Sequence, residues 1–311
     1  MGTPEFAVAP LRILIENSYN IVGVITSPDK PAGRGQQIQE SAIKKFATQQ
    51  NLKILQPTNL KSTDFIEELK ALKANLQIVV AFRMLPEQVW NMPELGTFNL
   101  HASLLPQYRG AAPINWSIIN GETETGVTTF FLTHEIDTGD IIEQQKVAIG
   151  ENETAGELHD KLMNIGAKLV LSTTRAIENN SIKTKPQKQN IPNSELKSAT
   201  KIFKQDCKIN WDADIKSIHN KVRGLSPYPT AWTTFQHKEK DEKLTVKIFK
   251  SVPIFENHNK KTGELIIAKN SIRVSVLNGF IEILELQIEG KKRMTSASLL
   301  NGFNLNSYCI L

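Results

Sequence analysis

The first half of the chain alternates short apolar segments with segments of helical spacing, and this alternation restricts the fold more than any other feature. Leu76–Phe82 (LQIVVAF) is nearly all apolar, which is typical of a strand buried on both faces. Four further strands are predicted at Tyr19–Thr26, Gly96–His101, Val127–Leu132 and Ile141–Val147. Because helical segments separate most of these strands, the sequence predicts an α/β fold with a mostly parallel sheet covered by helices.

The predicted helices of this half are Ala7–Asn17, Ser62–Lys73 with Ser62 as N-cap, Pro113–Asn120 and Thr154–Glu178. In a doubly wound sheet the first strand usually lies in the middle. Here no apolar run precedes Gly2-Thr3-Pro4, so a first strand is missing from the pattern. We therefore expect about six to ten further residues upstream, enough for one strand, and a chain that is only partly folded without them.

The second part of the chain has a different character. Asn179–Ser198 is polar and contains Pro186 and Pro192, which is typical of a linker. A predicted helix at Ala213–Arg223 is followed by five predicted strands that favour a small antiparallel barrel, at Ala231–Phe235, Leu244–Phe249, Gly263–Ala268, Ile272–Val276 and Phe280–Ile288. We expect a first domain over residues 1–180, a linker over 181–200 and a second domain over 201–311.

Composition and charge narrow the function classes. No stretch approaches the ~20 apolar residues of a membrane span, the N-terminus has no secretory signal pattern, and the only two cysteines are Cys207 and Cys309. These features favour a cytoplasmic protein without a disulfide framework or a cysteine-based zinc site. Glu195–Leu311 carries 19 Lys and Arg against 12 Asp and Glu, whereas the preceding residues carry 18 against 20. A basic C-terminal part indicates an anionic partner, such as nucleic acid, although a solvated basic surface would look the same.

Asn99 and His101 are the first candidate catalytic residues. They stand two apart at the end of a predicted strand, so both side chains point to the same face, and the carboxyl ends of such strands are where α/β sheets bind ligands. An amide and a protonated imidazole can both donate hydrogen bonds, so the pair could stabilise an oxyanion formed when a nucleophile attacks a carbonyl. Taken alone, an Asn-x-His pair is more often part of an ordinary turn.

Asp137 is the third candidate, within the turn Asp137-Thr138-Gly139-Asp140. A carboxylate near His101 would orient its ring and favour the imidazolium, and it could position a water that collects a proton. Asp and Gly are also common in turns for backbone reasons alone.

Taken in order, these motifs resemble the folate-dependent formyltransferase family, and the resemblance covers essentially the whole chain. Further matches are similar to the family members that act on methionyl-tRNA. The matching segments are Asn99-x-His101, Ser103–Pro106 (SLLP), Arg109–Pro113 (RGAAP), Asp137–Asp140 (DTGD), Ser27–Gly35 (SPDKPAGRG), Val222–Pro229 (VRGLSPYP) with Ala231-Trp232, and Gly290–Met294 (GKKRM).

The resemblance implies a Rossmann-like formyltransferase domain followed by an oligonucleotide-binding (OB-like) barrel that binds tRNA. It implies 10-formyltetrahydrofolate as co-substrate, no metal, and transfer of the formyl group to the α-amino group of methionyl-initiator tRNA, which gives formylmethionyl-tRNA for translation initiation. By position it assigns catalysis to Asn99, His101 and Asp137, the folate site to Ser103, Leu104, Leu105 and Pro106, and tRNA contact to Arg34. We expect a monomer that does not associate with membranes.

Besides the missing strand before Gly2, which is the largest departure, the chain departs from the family pattern at two places. Arg83 is the first departure, at the end of the segment Val79-Val80-Ala81-Phe82-Arg83. The family usually has a small residue at this position, so Arg83 could alter one wall of the folate pocket. Gln36 and Gln37 replace a more basic sequence after Gly35. Two alternatives stay open: a formyltransferase for another amine, such as a purine-pathway ribonucleotide or an amino sugar, and a non-catalytic RNA-binding remnant.

Overall fold

The computed structural model describes residues 1–32, 37–187 and 195–311. These residues form two compact units. The first unit comprises Met1–Gly110, Thr125–Val147 and His159–Ser198, and the second comprises Ala111–Glu124, Ala148–Leu158 and Ala199–Leu311. The division of the chain into residues 1–180, 181–200 and 201–311 stays a prediction. Two earlier segments, residues 111–124 and 148–158, belong to the second unit. Within that unit, Asn115 Nδ2 donates to the carbonyl of Gly224 at 2.8 Å.

The α/β part begins with a 3₁₀ turn at Glu5–Ala7. Its helices are α1 (Val8–Glu16), α2 (Ala42–Gln49), α3 (Thr63–Ala71), α4 (Glu87–Trp90), α5 (Pro113–Ile119) and α6 (Ala155–Glu178). Its strands are β1 (Val24–Ile25), β2 (Lys30–Ala32), β3 (Gln37–Gln39), β4 (Ile54–Leu55), β5 (Gln77–Val80), β6 (Thr97–His101), β7 (Arg109–Gly110), β8 (Glu124–Phe131) and β9 (Ile141–Ala148). Every helix and strand predicted for this half is present, although β1 is shorter than the predicted Tyr19–Thr26.

The central sheet has the order β5-β6-β8-β9. β5 and β6 are parallel, β6 and β8 are antiparallel, and β1 pairs with β4 in parallel. The buried side chains of β5 and β1 pack in one apolar cluster with helix α3, through Val79, Ile25 and Phe65. The parallel strands β5 and β6 therefore end at the same edge of the sheet, as the alternating pattern predicts.

Met1 and Gly2 lie between β1 and β5. The Met1 nitrogen donates to the carbonyl of Ile78 at 2.7 Å, and the amide of Gly2 donates to the carbonyl of Ile25 at 3.0 Å. The amide of Val80 donates to the carbonyl of Met1 at 2.9 Å. Met1 and Gly2 therefore lie between two strands that run parallel to them. This is the central position at which the sequence predicts the end of a first strand. A Cβ atom on Gly2 would lie 2.5 Å from that of Ala7, so this approach needs glycine.

Ser62 precedes α3, as predicted, but its side chain makes no capping hydrogen bond to the helix. Its hydroxyl donates instead to the carbonyl of Asn59 at 3.0 Å. The prediction that the Ser62 side chain caps α3 is therefore wrong. Its hydroxyl stabilises the preceding turn instead of accepting from the first N–H groups of the helix.

The second unit contains an antiparallel sheet of seven strands in the order β13-β14-β15-β12-β11-β17, with β16 paired to β15. The strands are β11 (Ala231–His237), β12 (Lys243–Phe255), β13 (Leu265–Ile267), β14 (Ile272–Val276), β15 (Gly279–Ile288), β16 (Met294–Thr295) and β17 (Tyr308–Ile310). The remaining elements are β10 (Ser198–Ala199), a 3₁₀ turn at Gln205–Cys207, α7 (Ile215–Gly224) and α8 (Ser296–Leu300). The sheet is the predicted barrel-like fold, with two short strands that the sequence did not reveal.

Helix α7 supplies part of the core of this unit. Ile218 and Val222 are at most 1% exposed and pack in one cluster with Ile248 of β12. Burial of such a side chain contributes about 1.5–3 kcal/mol. Among residues 1–32, 37–187 and 195–311, no helix is long and apolar enough to span a bilayer.

Candidate active site

Strand β6 presents Asn99 and His101, the two residues that the sequence singled out. In the register of the sheet, Asn99 lies opposite Val79 on the parallel strand β5, and His101 lies opposite Thr128 on the antiparallel strand β8. His101 is 6% exposed. The central position of β6 therefore fixes both side chains on one face, as the period of two predicts.

The ring of His101 is held from both sides. Its Nε2 lies 2.8 Å from the carbonyl oxygen of Tyr108. A carbonyl can only accept, so Nε2 carries a proton and donates it. Nδ1 faces the carboxylate of Asp137, at 3.8 Å from Oδ2. Nδ1 is therefore the ring nitrogen that faces the carboxylate of Asp137, whose side chain is 13% exposed.

Asp137 has a backbone conformation that few side chains adopt, with a φ of 55°. Its carboxylate accepts a hydrogen bond from the amide of Gly110 at 3.0 Å between N and Oδ2, so the turn and the Arg-Gly motif are joined at this oxygen. Gly139 in the same turn needs to be glycine, because a Cβ there would lie 1.7 Å from the carbonyl oxygen of Phe131. The turn is thus shaped by backbone contacts that place Asp137 against His101.

Asn99 has an unsatisfied oxygen. Its Oδ1 is buried and has no hydrogen-bond partner among the described residues. A buried polar atom without a hydrogen-bond partner destabilises the folded protein by about 1–3 kcal/mol. Such an atom is expected where a bound ligand supplies the missing hydrogen bond. Beside His101 on the same strand face, this atom fits a site that receives a polar substrate group.

The segment Ser103–Pro106, predicted to line the folate site, is braced by one hydroxyl. Oγ1 of Thr128 donates to the carbonyl of Ser103 at 2.6 Å and accepts from the amide of Leu105 at 3.2 Å. Gln144 Nε2 donates to the same hydroxyl and to the carbonyl of Leu105. Ser103 and Leu105 are buried, and the Ser103 hydroxyl donates to the carbonyl of Gln107. These contacts fix the backbone of the segment directly after His101.

Arg83 and Arg34 are the two other residues that the sequence analysis singled out. Arg83 donates to the carbonyls of Thr58 and Pro57, and its guanidinium lies 5.7 Å from the centre of the Phe82 ring. This side chain therefore connects the segment after β5 to the segment after β4. Arg34, predicted to contact tRNA, lies outside the described residues.

Sequence reasoning missed three parts of the site: the Tyr108 carbonyl, Thr128 and Gln187. Gln187 donates to the carbonyls of Asp137 and Gly139 and accepts from Arg109. Thr128 lies in a predicted strand, but its register opposite His101 on the antiparallel strand β8 is known only from the structure. The other two carry no sequence signal, because a carbonyl belongs to every residue and Gln187 stands in a polar segment that predicts a linker.

Comparison with known proteins identifies the family. Residues 1–174 match the formyl transferase family, and residues 201–304 match the formyl transferase C-terminal domain. The chain is 56% identical over 306 residues to the methionyl-tRNA formyltransferase of Flavobacterium johnsoniae, covering 98% of this chain and 96% of that one. It is 55% identical to the methionyl-tRNA formyltransferase of Bacteroides thetaiotaomicron, covering 98% and 95%.

Solved structures agree in fold. A sugar 3N-formyl transferase, WlaRD, crystallised with dTDP and 5-N-formyl-THF, is 26% identical, with a TM-score of 0.64 over 94% of this chain and 97% of that one. An N-formyltransferase from Helicobacter canadensis, in complex with folinic acid and dTDP-3-aminofucose, is 25% identical with a TM-score of 0.64, over 91% and 96%. On the site geometry, the two domain matches and the full-length relatives, this chain belongs to the methionyl-tRNA formyltransferase family.

Proposed function

We propose that the chain transfers the formyl group of 10-formyltetrahydrofolate to the α-amino group of methionyl-initiator tRNA, with Asn99, His101 and Asp137 as its catalytic residues. The observation that carries the proposal is the contact of His101 with Asp137 at 3.8 Å, beside the unpartnered Oδ1 of Asn99. Relatives named methionyl-tRNA formyltransferase match nearly the full length of the chain, and this supports the acceptor.

Asn99 and a protonated His101 stabilise the negative charge that develops on the formyl oxygen. Donors aimed at developing charge typically change the rate by about 10²–10³ each. Nε2 of His101 is occupied by the Tyr108 carbonyl, so Nδ1 is the nitrogen that acts on the reacting groups. Asp137 faces that nitrogen and accepts, directly or through one water, the proton that the attacking amine releases.

The folate would be held beside the segment Ser103–Pro106, whose backbone Thr128 and Gln144 fix after His101. The orphaned Asn99 oxygen fits a bound co-substrate, and two related solved structures were obtained with formylated folates. When bound, the folate would supply the formyl carbon. The amine nitrogen bonds to that carbon, the bond from the carbon to the folate nitrogen breaks, and the proton that the amine loses ends on the folate nitrogen. Arg83 follows β5 and is exposed. It donates a hydrogen bond to the carbonyl of Thr58, so it is not a free cation.

Arg34 and the basic C-terminal part are proposed to contact the tRNA. The protein is proposed to be a cytoplasmic monomer. Within the second unit, Lys201 lies 5.4 Å from the centre of the Phe203 ring, and Lys208 lies 5.8 Å from that of Trp232. Phe203 is 50% exposed. A cation beside an exposed aromatic ring, as at Phe203, suits a partner with a phosphate backbone and unpaired bases.

The proposal is tested by incubating the purified chain with 10-formyltetrahydrofolate and methionyl-initiator tRNA, then detecting formylmethionine by mass spectrometry after hydrolysis. Uncharged tRNA serves as the control. A dTDP-linked amino sugar is the competing acceptor, because one solved relative was crystallised in complex with dTDP-3-aminofucose. Formylation of the methionyl-tRNA alone is the expected result. Formylation of the sugar alone would assign the site to another amine, and no product from a folded chain would favour the non-catalytic alternative.

A further inference from the structure

Gln187 lies outside every motif of the family resemblance, in the segment expected to be a linker, yet it is 5% exposed. Its Nε2 donates to the carbonyl of Asp137 at 2.8 Å and to the carbonyl of Gly139 at 2.9 Å. Its Oε1 accepts from Nε of Arg109 at 3.0 Å and also from Nη2 of the same guanidinium. All the polar atoms of this buried amide are therefore used within the first unit.

These contacts go to the backbone around Asp137 and to Arg109, and none goes to the carboxylate itself. Two go to the carbonyls on either side of Thr138, in the turn where Asp137 has its positive φ. The third goes to Arg109, and the next residue, Gly110, donates its amide to the Asp137 carboxylate. The side chain of Gln187 thus connects the turn that carries the Asp137 carboxylate to the Arg109-Gly110 segment, which donates a hydrogen bond to that carboxylate.

The chemistry of this position calls for a primary amide. Two carbonyls need two N–H donors and a guanidinium needs an acceptor, and among side chains of this length only glutamine supplies both. Its backbone is anchored nearby: Lys185 and Ile141 exchange two backbone hydrogen bonds of 2.8 Å each. The amide therefore reaches the turn from a fixed base.

We propose that Gln187 is a positioning residue for Asp137, which holds the carboxylate in its place beside His101. The proposal rests on the proposed function, since it gives Gln187 a role in that reaction. Displacement of a catalytic group by about 1 Å can cost a rate factor on the order of 10². Loss of the amide therefore slows formyl transfer without removing any atom that touches the substrates.

The first measurement compares single-turnover formylation by Gln187→Met and Gln187→Glu with that of the wild type. Methionine keeps the length without hydrogen bonds, and glutamate keeps the acceptor but loses both donors. We expect either variant to slow the transfer about tenfold to hundredfold, with KM for the tRNA within about twofold. Gln145→Met, which removes an exposed amide bonded to the carbonyl of Lys146, is the matched control and should match the wild type. If Gln187→Glu transfers formyl at the wild-type rate, the donors are not needed and the proposal fails.

A double-mutant cycle separates positioning from general stability. In an Asp137→Asn background the carboxylate is already lost, so adding Gln187→Glu should change the rate by less than about twofold. Rate losses that multiply in the double variant would overturn the proposal, since they would show that Gln187 acts independently of Asp137.

A measurement without substrates keeps this inference distinct from the proposed function. In the NMR spectrum, the Gly110 amide of the wild type should carry the downfield shift of a hydrogen bond to a carboxylate. Gln187→Glu should remove it while the amides of the second unit keep their shifts. An unchanged Gly110 resonance overturns the positioning role, whereas a wild-type chain that forms no product overturns the proposed function.

Discussion

Nδ1 of His101 and Oδ2 of Asp137 face each other at 3.8 Å, and each of the two side chains also has a backbone hydrogen bond. The His101 ring is held by the Tyr108 carbonyl, and the Asp137 carboxylate is held by the Gly110 amide. The distance is too long for a direct hydrogen bond, so a protonated ring and the carboxylate interact by charge across a small gap.

Asp137→Asn tests the role of this carboxylate, because it keeps the shape and removes the charge. We expect the single-turnover rate of formyl transfer to fall by about tenfold or more, since the proton acceptor is lost. Binding of methionyl-tRNA, measured by filter retention, should change little. A normal transfer rate combined with weakened tRNA binding would assign Asp137 to the tRNA instead.

Gly139→Ala tests the backbone of the turn. A Cβ there would lie 1.7 Å from the carbonyl oxygen of Phe131, so the turn must move and take Asp137 with it. We expect a lower melting temperature and a loss of activity of at least about tenfold. Gly302→Ala is the control, because nothing lies within 4 Å of its added Cβ. Equal melting temperatures and activities for the two variants would contradict this account.

The sequence predicted the parts of the site that depend on local pattern. Asn99 and His101 follow from strand periodicity, and Asp137 follows from a turn that the family resemblance places beside them. Gln187 could not be predicted, because its partner Arg109 is 78 residues away and its polar surroundings resemble a linker. Burial of that amide is a property of the folded chain alone.

The same limit applies to the fold. The alternation of strands and helices predicted the sheet, yet β12 runs over Lys243–Phe255 where only Leu244–Phe249 was predicted. Its pairing with β15 shifts register between Ile248 and Ser251, and such an irregularity interrupts the apolar alternation by which strands are detected. The short strands β16 and β17 have too few residues to produce a pattern.

Acid should destabilise the second unit through His219. Nε2 of this ring donates to Oδ1 of Asn152, and Nδ1 accepts from the Ser251 hydroxyl. Burial, together with the nearby Arg223, lowers the pKa of His219 to about 4. The unfolded chain has the ordinary value of about 6.5, so it binds more protons between these values. Stability is therefore unaffected above about pH 6.5 and is lost progressively as the pH falls towards 4, by up to roughly 3 kcal/mol.

Urea unfolding of the full chain at several pH values checks this expectation. His219→Gln keeps a polar side chain without the titration, so its stability should fall less between pH 6.5 and 4 than that of the wild type. Equal pH dependence in the two proteins would show that other groups control acid unfolding.

Contact with tRNA should depend on salt. Arg34 and the basic C-terminal part are proposed to contact phosphates, so affinity should fall linearly on a log–log plot as salt rises. Arg34→Ala should reduce use of tRNA more than binding of the folate. Lys53→Ala removes an exposed cation that lies near Glu68, and it is the charge-matched control. An affinity for tRNA that does not change with salt would contradict this assignment.

The central claim is that the site on β6 carries out formyl transfer, and single-turnover formylation by His101→Ala tests it most directly. With saturating 10-formyltetrahydrofolate and methionyl-initiator tRNA, the variant should transfer the formyl group roughly two to three decades more slowly than the wild type, because one donor to the developing charge is lost. Folate binding and the melting temperature are measured on the same sample to show that the variant is folded and loaded. A folded, folate-bound His101→Ala that transfers the formyl group at nearly the wild-type rate would contradict the account.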